Sequence, residues 1–218
     1  FCLEILSRTE TLAFDQGITL FCGENGTGKS TVLKALAIRC GIHIWEPEFQ
    51  LRCETNRYEN QLYRHLAVTW NQGPVPGSYF GSQNFSHFAR KLEEWALNDR
   101  PMLEYFGGKS LITQSHGQSL MSYFSSRYQR KGLYFLDEPE TALSPRSQVE
   151  LLNLIIRESG KGHAQFVIAT HSPILMACPD AVIYNFDGSE IVPVRYEDTD
   201  YYRLYKAFMT DPHPFIRT

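Results

Sequence analysis

The chain has 218 residues, 43% hydrophobic and 21% charged, with a net charge of −3. That length buries one sizeable core, and the balance excludes a disordered chain and a globally basic nucleic-acid binder. No apolar run approaches the roughly 20 residues of a membrane helix and no secretory signal is visible, so no intrinsic membrane segment is expected.

In chain order, "FCLEIL", "TLAF" and "ITLFCG" are short apolar runs separated by turn signals, and they predict strands. Phe1 falls inside the first run, so a segment ahead of it is expected. "GENGTGKSTVLKALAIRCG" passes from a Gly-rich loop into a helix, with Val32, Leu33, Leu36, Ala37 and Cys40 at helical spacing. Gly41 stands at its C-terminal cap. "RHLAVTW" reads as a strand, and "NQGPVPGSYF" as a turn followed by a short strand.

"FSHFARKLEEWALNDRP" predicts an amphipathic helix on Phe85, Phe88, Leu92 and Trp95, ended by Asn98 to Pro101. "SLMSYFSSRYQRKG" predicts a second helix, closed by Gly132. Then the pattern changes. "LYFLDEPE" and "AQFVIATHS" are strands running into loops, and between them "SPRSQVELLNLIIRESG" is a helix with Ser144 as N-cap and Pro145 at its first position. "DAVIYNF" and "EIVPVRY" form a closing hairpin around "DGS", and "YYRLYKAFM" is a terminal helix. Strands alternating with helices at both ends argue for an α/β sheet with crossovers, and the helix-rich middle for an inserted subdomain. The five cysteines, Cys2, Cys22, Cys40, Cys53 and Cys178, form no CxxC and point to a reducing, cytoplasmic setting. The seven histidines lack metal-ligand spacing.

Gly23 to Ser30, "GENGTGKS", fits GxxxxGK[ST] completely and has the required context, after a strand and before a helix. Gly26 and Gly28 let the backbone curl so that successive N–H groups point at phosphate oxygens. The helix N-terminus adds its partial positive charge. Lys29 reaches the β- and γ-phosphates, and Ser30 ligates Mg2+. The expected nucleotide-binding set is Gly23, Glu24, Asn25, Gly26, Thr27, Gly28, Lys29, Ser30 and Thr31. Four apolar residues put a buried strand under Asp137, whose carboxylate would face the phosphate loop and hold Mg2+ through water. Glu138 beside it can polarise the attacking water. His171, just past the next buried strand, could touch the γ-phosphate.

The order of phosphate loop, "SHGQ" with its helix, "FLDEPE", "TALS" and "ATHSP" resembles the ATP-binding cassette (ABC) ATPases over nearly the whole chain. The resemblance implies an α/β P-loop NTPase fold: a mostly parallel sheet with an antiparallel portion, a core lobe over about 1–83 and 132–218, and an inserted helical lobe over about 84–131. It makes Gly23 to Ser30 the Walker A loop, Leu133 to Glu138 the Walker B strand with its catalytic glutamate, and His171 the switch histidine. Thr141, Ala142, Leu143 and Ser144 stand at the D-loop. "QSHGQ", Gln114 to Gln118, stands where the family signature LSGGQ stands. Ser115, Gly117 and Gln118 match it, while Gln114 replaces Leu and His116 replaces Gly. The family's Q-loop glutamine, which reaches Mg2+, is assigned to Gln83, with Gln50, Gln61 and Gln72 as rivals. Phe14 or Arg8 would meet the base.

"DEPETALSP" and "THSPIL" are similar to the soluble branch that includes SMC, RecF-like and OLD-type ATPases, and to its AAA_21-like members. No heptads separate Walker A from the signature, so the SMC coiled coil is absent. The resemblance implies ATP and Mg2+, ATP hydrolysis, and a head-to-tail homodimer sandwiching two ATP molecules, with signature residues supplied in trans. The process driven would involve nucleic acid, defence or repair, or a protein effector. The alternative is the nucleotide-binding subunit of a membrane transporter. A P-loop small-molecule kinase would need neither "SHGQ" nor the switch histidine.

Overall fold

A computed structural model describes residues 4–44, 61–96 and 116–216. Its centre is a six-stranded sheet of β1 (Ile18–Cys22), β2 (Gly77–Gly81), β3 (Gly132–Asp137), β4 (Ala164–Ala169), β5 (Val182–Asn185) and β6 (Val192–Val194). The strand order is β2-β3-β4-β1-β5-β6. Every pairing is parallel except β5 with β6, which closes the sheet as an antiparallel hairpin.

Both faces of the parallel strands are covered, which is why they read as continuous apolar runs. With a side-chain period of two, successive residues join opposite cores. Leu20, Tyr134, Leu136, Phe166 and Ile168 face one side. Phe21, Leu133, Phe135 and Val167 face the other. The second face is covered by α1 (Glu4–Arg8) and α2 (Lys29–Arg39), through Ile5, Val32, Leu33 and Ala37.

The first face packs on four helices: α3 (Phe85–Ala96), α4 (His116–Arg127), α5 (Pro145–Gly160) and the short α6 (Pro173–Met176). Aromatic rings knit α3 and α4 to β2, with Phe80 and Phe124 centroids 4.9 Å apart and Phe85 and Tyr123 5.8 Å apart. The terminal helix α7 (Asp200–Thr210) starts at Thr199, whose side chain accepts from Tyr202 N–H.

Capping follows the sequence where the sequence is explicit. Ser144 is the N-cap of α5, accepting from Ser147 N–H at 3.2 Å, and Pro145 is its first residue. The end of α2 is a Schellman turn: Ile42 N–H bonds Ala37 C=O, Gly41 N–H bonds Ile38 C=O, and Gly41 takes φ 73°.

Four expectations are corrected. Of the "FCLEIL" run, Glu4 onward is helical, in α1 (Glu4–Arg8), which seats Ile5 and Leu6 on the α2 side of the sheet, while the exposed Glu4–Arg8 pair at i,i+4 adds a small increment. "TLAF" is no strand, since side chains satisfy its backbone: Tyr184 Oη bonds both Ala13 N–H and Ala13 C=O, and Gln165 Nε2 donates to Phe14 C=O. "RHLAVTW" is a 3-10 turn at Leu62–His65 followed by irregular chain, whose Leu66 and Trp70 pack on the α2 side. Gly132 does not close α4, which ends at Arg127. It opens β3, where a Cβ would stand 2.8 Å from Pro76 C=O. The expected stop at Asn98 to Pro101 lies outside the described residues.

Candidate nucleotide site

The C-terminal ends of β1, β2, β3 and β4 meet on one edge of the sheet, with Gly81 in register with Asp137 and Asp137 with Ala169. The phosphate loop leaves β1 there. Gly23 has φ 139°, and a Cβ on it would press 3.0 Å from Asp187 Oδ1, the same oxygen that accepts from Glu24 N–H at 2.6 Å. Gly28, at φ 100°, precedes α2 and offers no side-chain cap. The first N–H groups of α2 are therefore left for an anion.

Lys29 is buried at 4% exposure, and its Nζ donates to Gly23 C=O and Glu24 C=O, both at 2.7 Å. Burial lowers its pKa from the usual lysine value, against the pull of Glu138, Asp187 and Asp137. Thr27 Oγ1 donates to Glu24 C=O at 2.9 Å, while Glu24, Asn25, Gly26 and Thr31 are exposed.

Ser30 and Tyr79 hold the Asp137 carboxylate from two sides, donating at 2.8 Å to Oδ1 and at 2.9 Å to Oδ2. Burial raises the pKa of Asp137, and those two hydrogen bonds oppose the rise. Glu138 follows in the left-handed region at φ 48°, a costly conformation for a side-chain-bearing residue. Its N–H bonds Ala169 C=O at 2.9 Å, and its Oε1 lies 3.5 Å from His171 Nε2.

His171 is held on every side but that one. Its N–H donates to Glu140 Oε1 at 2.6 Å, and Nδ1 bonds the hydroxyl of Tyr201. Nε2 is buried without a hydrogen-bond partner. Burial lowers the imidazole pKa, and Lys29 lowers it further. Ser172 caps α6 and donates to Gln148 Oε1 at 2.6 Å, while Gln148 Nε2 donates to Leu143 C=O at 3.0 Å. The "TALS" turn is thereby fastened to the end of β4. Leu143 is buried and Ser144 exposed.

The other expected residues have definite positions. Gln83 is exposed in the 3-10 turn Ser82–Asn84, two residues past Gly81 and so beside the Asp137 end of β3. Gln61 precedes the 3-10 turn at Leu62–His65, Gln72 lies in a bend, and Gln50 is outside the described residues. His116 is the first residue of α4, and Gln118 is exposed on it. Gly117 lies against this chain's own turn, where a Cβ would stand 3.6 Å from Ala142 C=O. Gln114 and Ser115 are outside the described residues. Phe14 packs towards Phe21 at 6.5 Å between centroids, and Arg8 pairs with Glu4 on the surface.

The donor set suits a magnesium–nucleotide complex. A lysine inside a curled loop and an uncapped helix N-terminus suit phosphate oxygens. The Ser30 hydroxyl and Asp137 carboxylate are hard oxygen donors of the kind Mg2+ takes. His171 Nε2 is a buried polar atom that faces Glu138 Oε1 at 3.5 Å without a close hydrogen bond, which leaves room for a ligand group.

Known proteins are similar to this chain over the same segments. The family model described as "AAA domain" matches residues 3–41, over the phosphate loop. The one described as "AAA domain, putative AbiEii toxin, Type IV TA system" matches 118–177, from α4 through His171 to the end of α6. The xylose import ATP-binding protein XylG of Pseudomonas savastanoi pv. phaseolicola is 29% identical over 82% of this chain. The petrobactin import ATP-binding protein FpuD of Bacillus anthracis is 24% identical over 95% of the chain and 87% of its own length.

The two family models, these ATP-binding relatives and the solved structures together support an ABC-type P-loop ATPase. Solved ABC structures share its fold. CbiO1 of Clostridium perfringens, part of the ABC transporter complex cbiONQ, has a TM-score of 0.51 at 18% identity, covering 93% of this chain and 88% of its own. The ATP-binding cassette MJ0796, in a dimeric post-hydrolysis state with ADP and Pi, has a TM-score of 0.50 at 14% identity, over 86% and 89% of the two chains. The chain spans 38% of the length of the XylG protein it matches. No helix among its described residues is long and apolar enough to cross a membrane.

Four residues of the candidate site escaped sequence reasoning: Tyr79, Glu140, Asp187 and Tyr201. Glu140 sits two residues past Glu138 in "DEPE", a visible signal. Tyr79 and Tyr201 are ordinary tyrosines of a strand and an amphipathic helix, and only the tertiary fold brings their hydroxyls to the site.

Proposed function

We propose that this domain binds Mg-ATP, pairs head to tail with a second copy over two nucleotides, and hydrolyses ATP to drive a conformational switch. The observation that carries the reading is the convergence of Ser30 on Asp137 at 2.8 Å and of Glu138 on His171 at 3.5 Å beside the phosphate loop. In this reading Gly23 to Thr31 cradle the phosphates and Lys29 neutralises the β- and γ-oxygens. Ser30 and Asp137 hold Mg2+, with Gln83 nearby. The ion would supply charge neutralisation on the phosphate oxygens. Glu138 accepts a proton from the attacking water, and His171 contacts the transferred group. Ser115, His116, Gly117 and Gln118 of a second copy complete the site, with Leu143 and Ser144 at the seam. The division into a core lobe (about 1–83 and 132–218) and a signature lobe (about 84–131) belongs to the same reading, as does a cytoplasmic setting.

Light scattering tests it. Glu138→Gln is expected to accumulate as a dimer with Mg-ATP. Ser115→Arg is expected to bind nucleotide, stay monomeric and lose turnover. A Glu138→Gln protein that stays monomeric at saturating Mg-ATP would falsify the paired arrangement.

A second reading, the nucleotide-binding subunit of a membrane transporter, is favoured by the relatives named for import of xylose and petrobactin. The "DEPETALSP" and "THSPIL" forms favour the soluble branch, with nucleic acid, a defence or repair process, or a protein effector as the target. Co-purification with membrane subunits selects the transporter subunit. ATPase stimulation by DNA that weakens with salt selects the soluble branch.

A further inference from the structure

We propose that Tyr201 is a positioning residue for the switch histidine: its hydroxyl joins the Gly23 carbonyl to His171 Nδ1 and thereby sets which imidazole nitrogen carries the proton. Only the kinetic part of this proposal rests on the ATPase reading. Three contacts link four groups: Tyr201 Oη to Gly23 C=O at 3.1 Å, Tyr201 Oη to His171 Nδ1, and His171 Nε2 to Glu138 Oε1 at 3.5 Å. The carbonyl and the ionised carboxylate can only accept. The phenol brings one proton and the neutral imidazole brings one. Two protons cannot serve three gaps, so one contact is always without a donor.

The unserved gap is at Nε2. Tyr201 donates to Gly23 C=O, so its lone pair must accept from Nδ1–H, and the Nε2 lone pair faces the Glu138 carboxylate across 3.5 Å with no proton between them. Burial raises the phenol pKa, which keeps its proton in place. Tyr201 is the second residue of α7, anchored by the Thr199 cap, and its ring meets the imidazole edge-on with centroids 5.5 Å apart. The hydroxyl is therefore delivered from the capped first turn of α7. Gly23 C=O also accepts from Lys29 Nζ, so this carbonyl is shared between the phosphate-loop lysine and the histidine relay.

The consequence is coupling. While Gly23 accepts from Tyr201, His171 shows the site an acceptor, suited to a water hydrogen. When the loop carbonyl turns away, the phenol proton is free to donate to Nδ1. The imidazole then gives its Nδ1 proton to water and takes one at Nε2, with no net change in charge, and presents a donor suited to a phosphate oxygen.

Long-range nitrogen–proton NMR on the 15N-labelled chain, free of nucleotide at neutral pH, tests this, with His171 assigned by its loss in His171→Asn. Wild type is expected to show the Nδ1-protonated form. Tyr201→Phe, which keeps the ring, is expected to show the Nε2-protonated form, now donating to Glu138. The same form in both proteins overturns the proposal. In Mg-ATP turnover, Tyr201→Phe is expected to lower kcat on the order of tenfold, less than the roughly 10²–10⁴ of an acid–base group itself, with KM within about twofold. An unchanged kcat with a raised KM also overturns it. If wild type does not hydrolyse ATP, the ATPase reading fails, while the NMR comparison still decides the role of Tyr201.

Discussion

Ser30 Oγ donates a 2.8 Å hydrogen bond to Asp137 Oδ1 across 107 positions of sequence. It ties the first turn of α2 to the end of β3 and puts two hard oxygen donors side by side. Tyr79 holds the other carboxylate oxygen at 2.9 Å, so the carboxylate is fixed in orientation before any ion arrives. Asp137→Asn replaces one acceptor oxygen by an amide donor that opposes both hydroxyls. The Mg2+ concentration for half-maximal ATP turnover is expected to rise roughly 10–100-fold, as for loss of a group that orients a metal's ligands. Tyr79→Phe should cause a smaller rise in the same direction. A magnesium titration identical to wild type for Asp137→Asn would remove Asp137 from the metal site.

His171 gives the stability of the fold a pH dependence with a definite sign. Its folded pKa is lowered from 6.5, first by burial and then by Lys29. The unfolded chain therefore binds the extra proton more readily than the folded one. The folded state keeps its full advantage above the unfolded pKa and loses it as pH falls from about 6.5 to the lower folded value. Glu140 works the other way, because burial raises its carboxyl pKa. That opposing term is common to wild type and His171→Asn, so the difference between the two isolates the imidazole. Urea midpoints from pH 8 to pH 5 should show the variant gaining on wild type below about pH 6.5. A gap constant across that range would contradict the buried, neutral histidine.

The parallel strands and the phosphate loop were legible because their physics is local. "LYFLD" and "AQFVIA" are apolar on both faces, and "GENGTGKS" spells out the glycines and the lysine that curl around phosphate. "TLAF" has the same local look and is not a strand, because Tyr184 and Gln165 reach it from β5 and β4 and take over its backbone hydrogen bonds. "FCLEIL" differs for another reason: Ile5 and Leu6 seat a one-turn helix on the core, and an apolar count does not tell that from a strand. Within the site, Ser30, Asp137, Glu138 and His171 could be found from motif order. Tyr79 could not, since its hydroxyl reaches Asp137 only through the β2–β3 register, which pairs Gly81 with Asp137.

That register depends on Gly77. A Cβ there would stand 1.9 Å from Leu133 C=O and 2.7 Å from Ile42 Cδ1. The isoleucine tip can swing, but the carbonyl belongs to β3 and cannot move without breaking the ladder. Gly77 C=O also accepts from Arg127 Nη2 at 2.9 Å, which pins β2 to the end of α4. Gly77→Ala should therefore push β2 off β3 and cost roughly 1–3 kcal/mol, the usual penalty for forcing extra volume into a packed site. Because β2 delivers Tyr79 and leads into Gln83, turnover should fall as well, at a temperature where the variant is still folded. Gly160→Ala is the matched control: nothing lies within 4 Å of that Cβ at the end of α5, so stability should hold or rise by up to about 1 kcal/mol. Thermal melts of both variants, with ATPase rates at 20 °C below the lower midpoint, would separate a displaced strand from a general loss of fold. Equal midpoints for the two would mean that β2 accommodates the methyl group and that the β2–β3 register does not depend on Gly77.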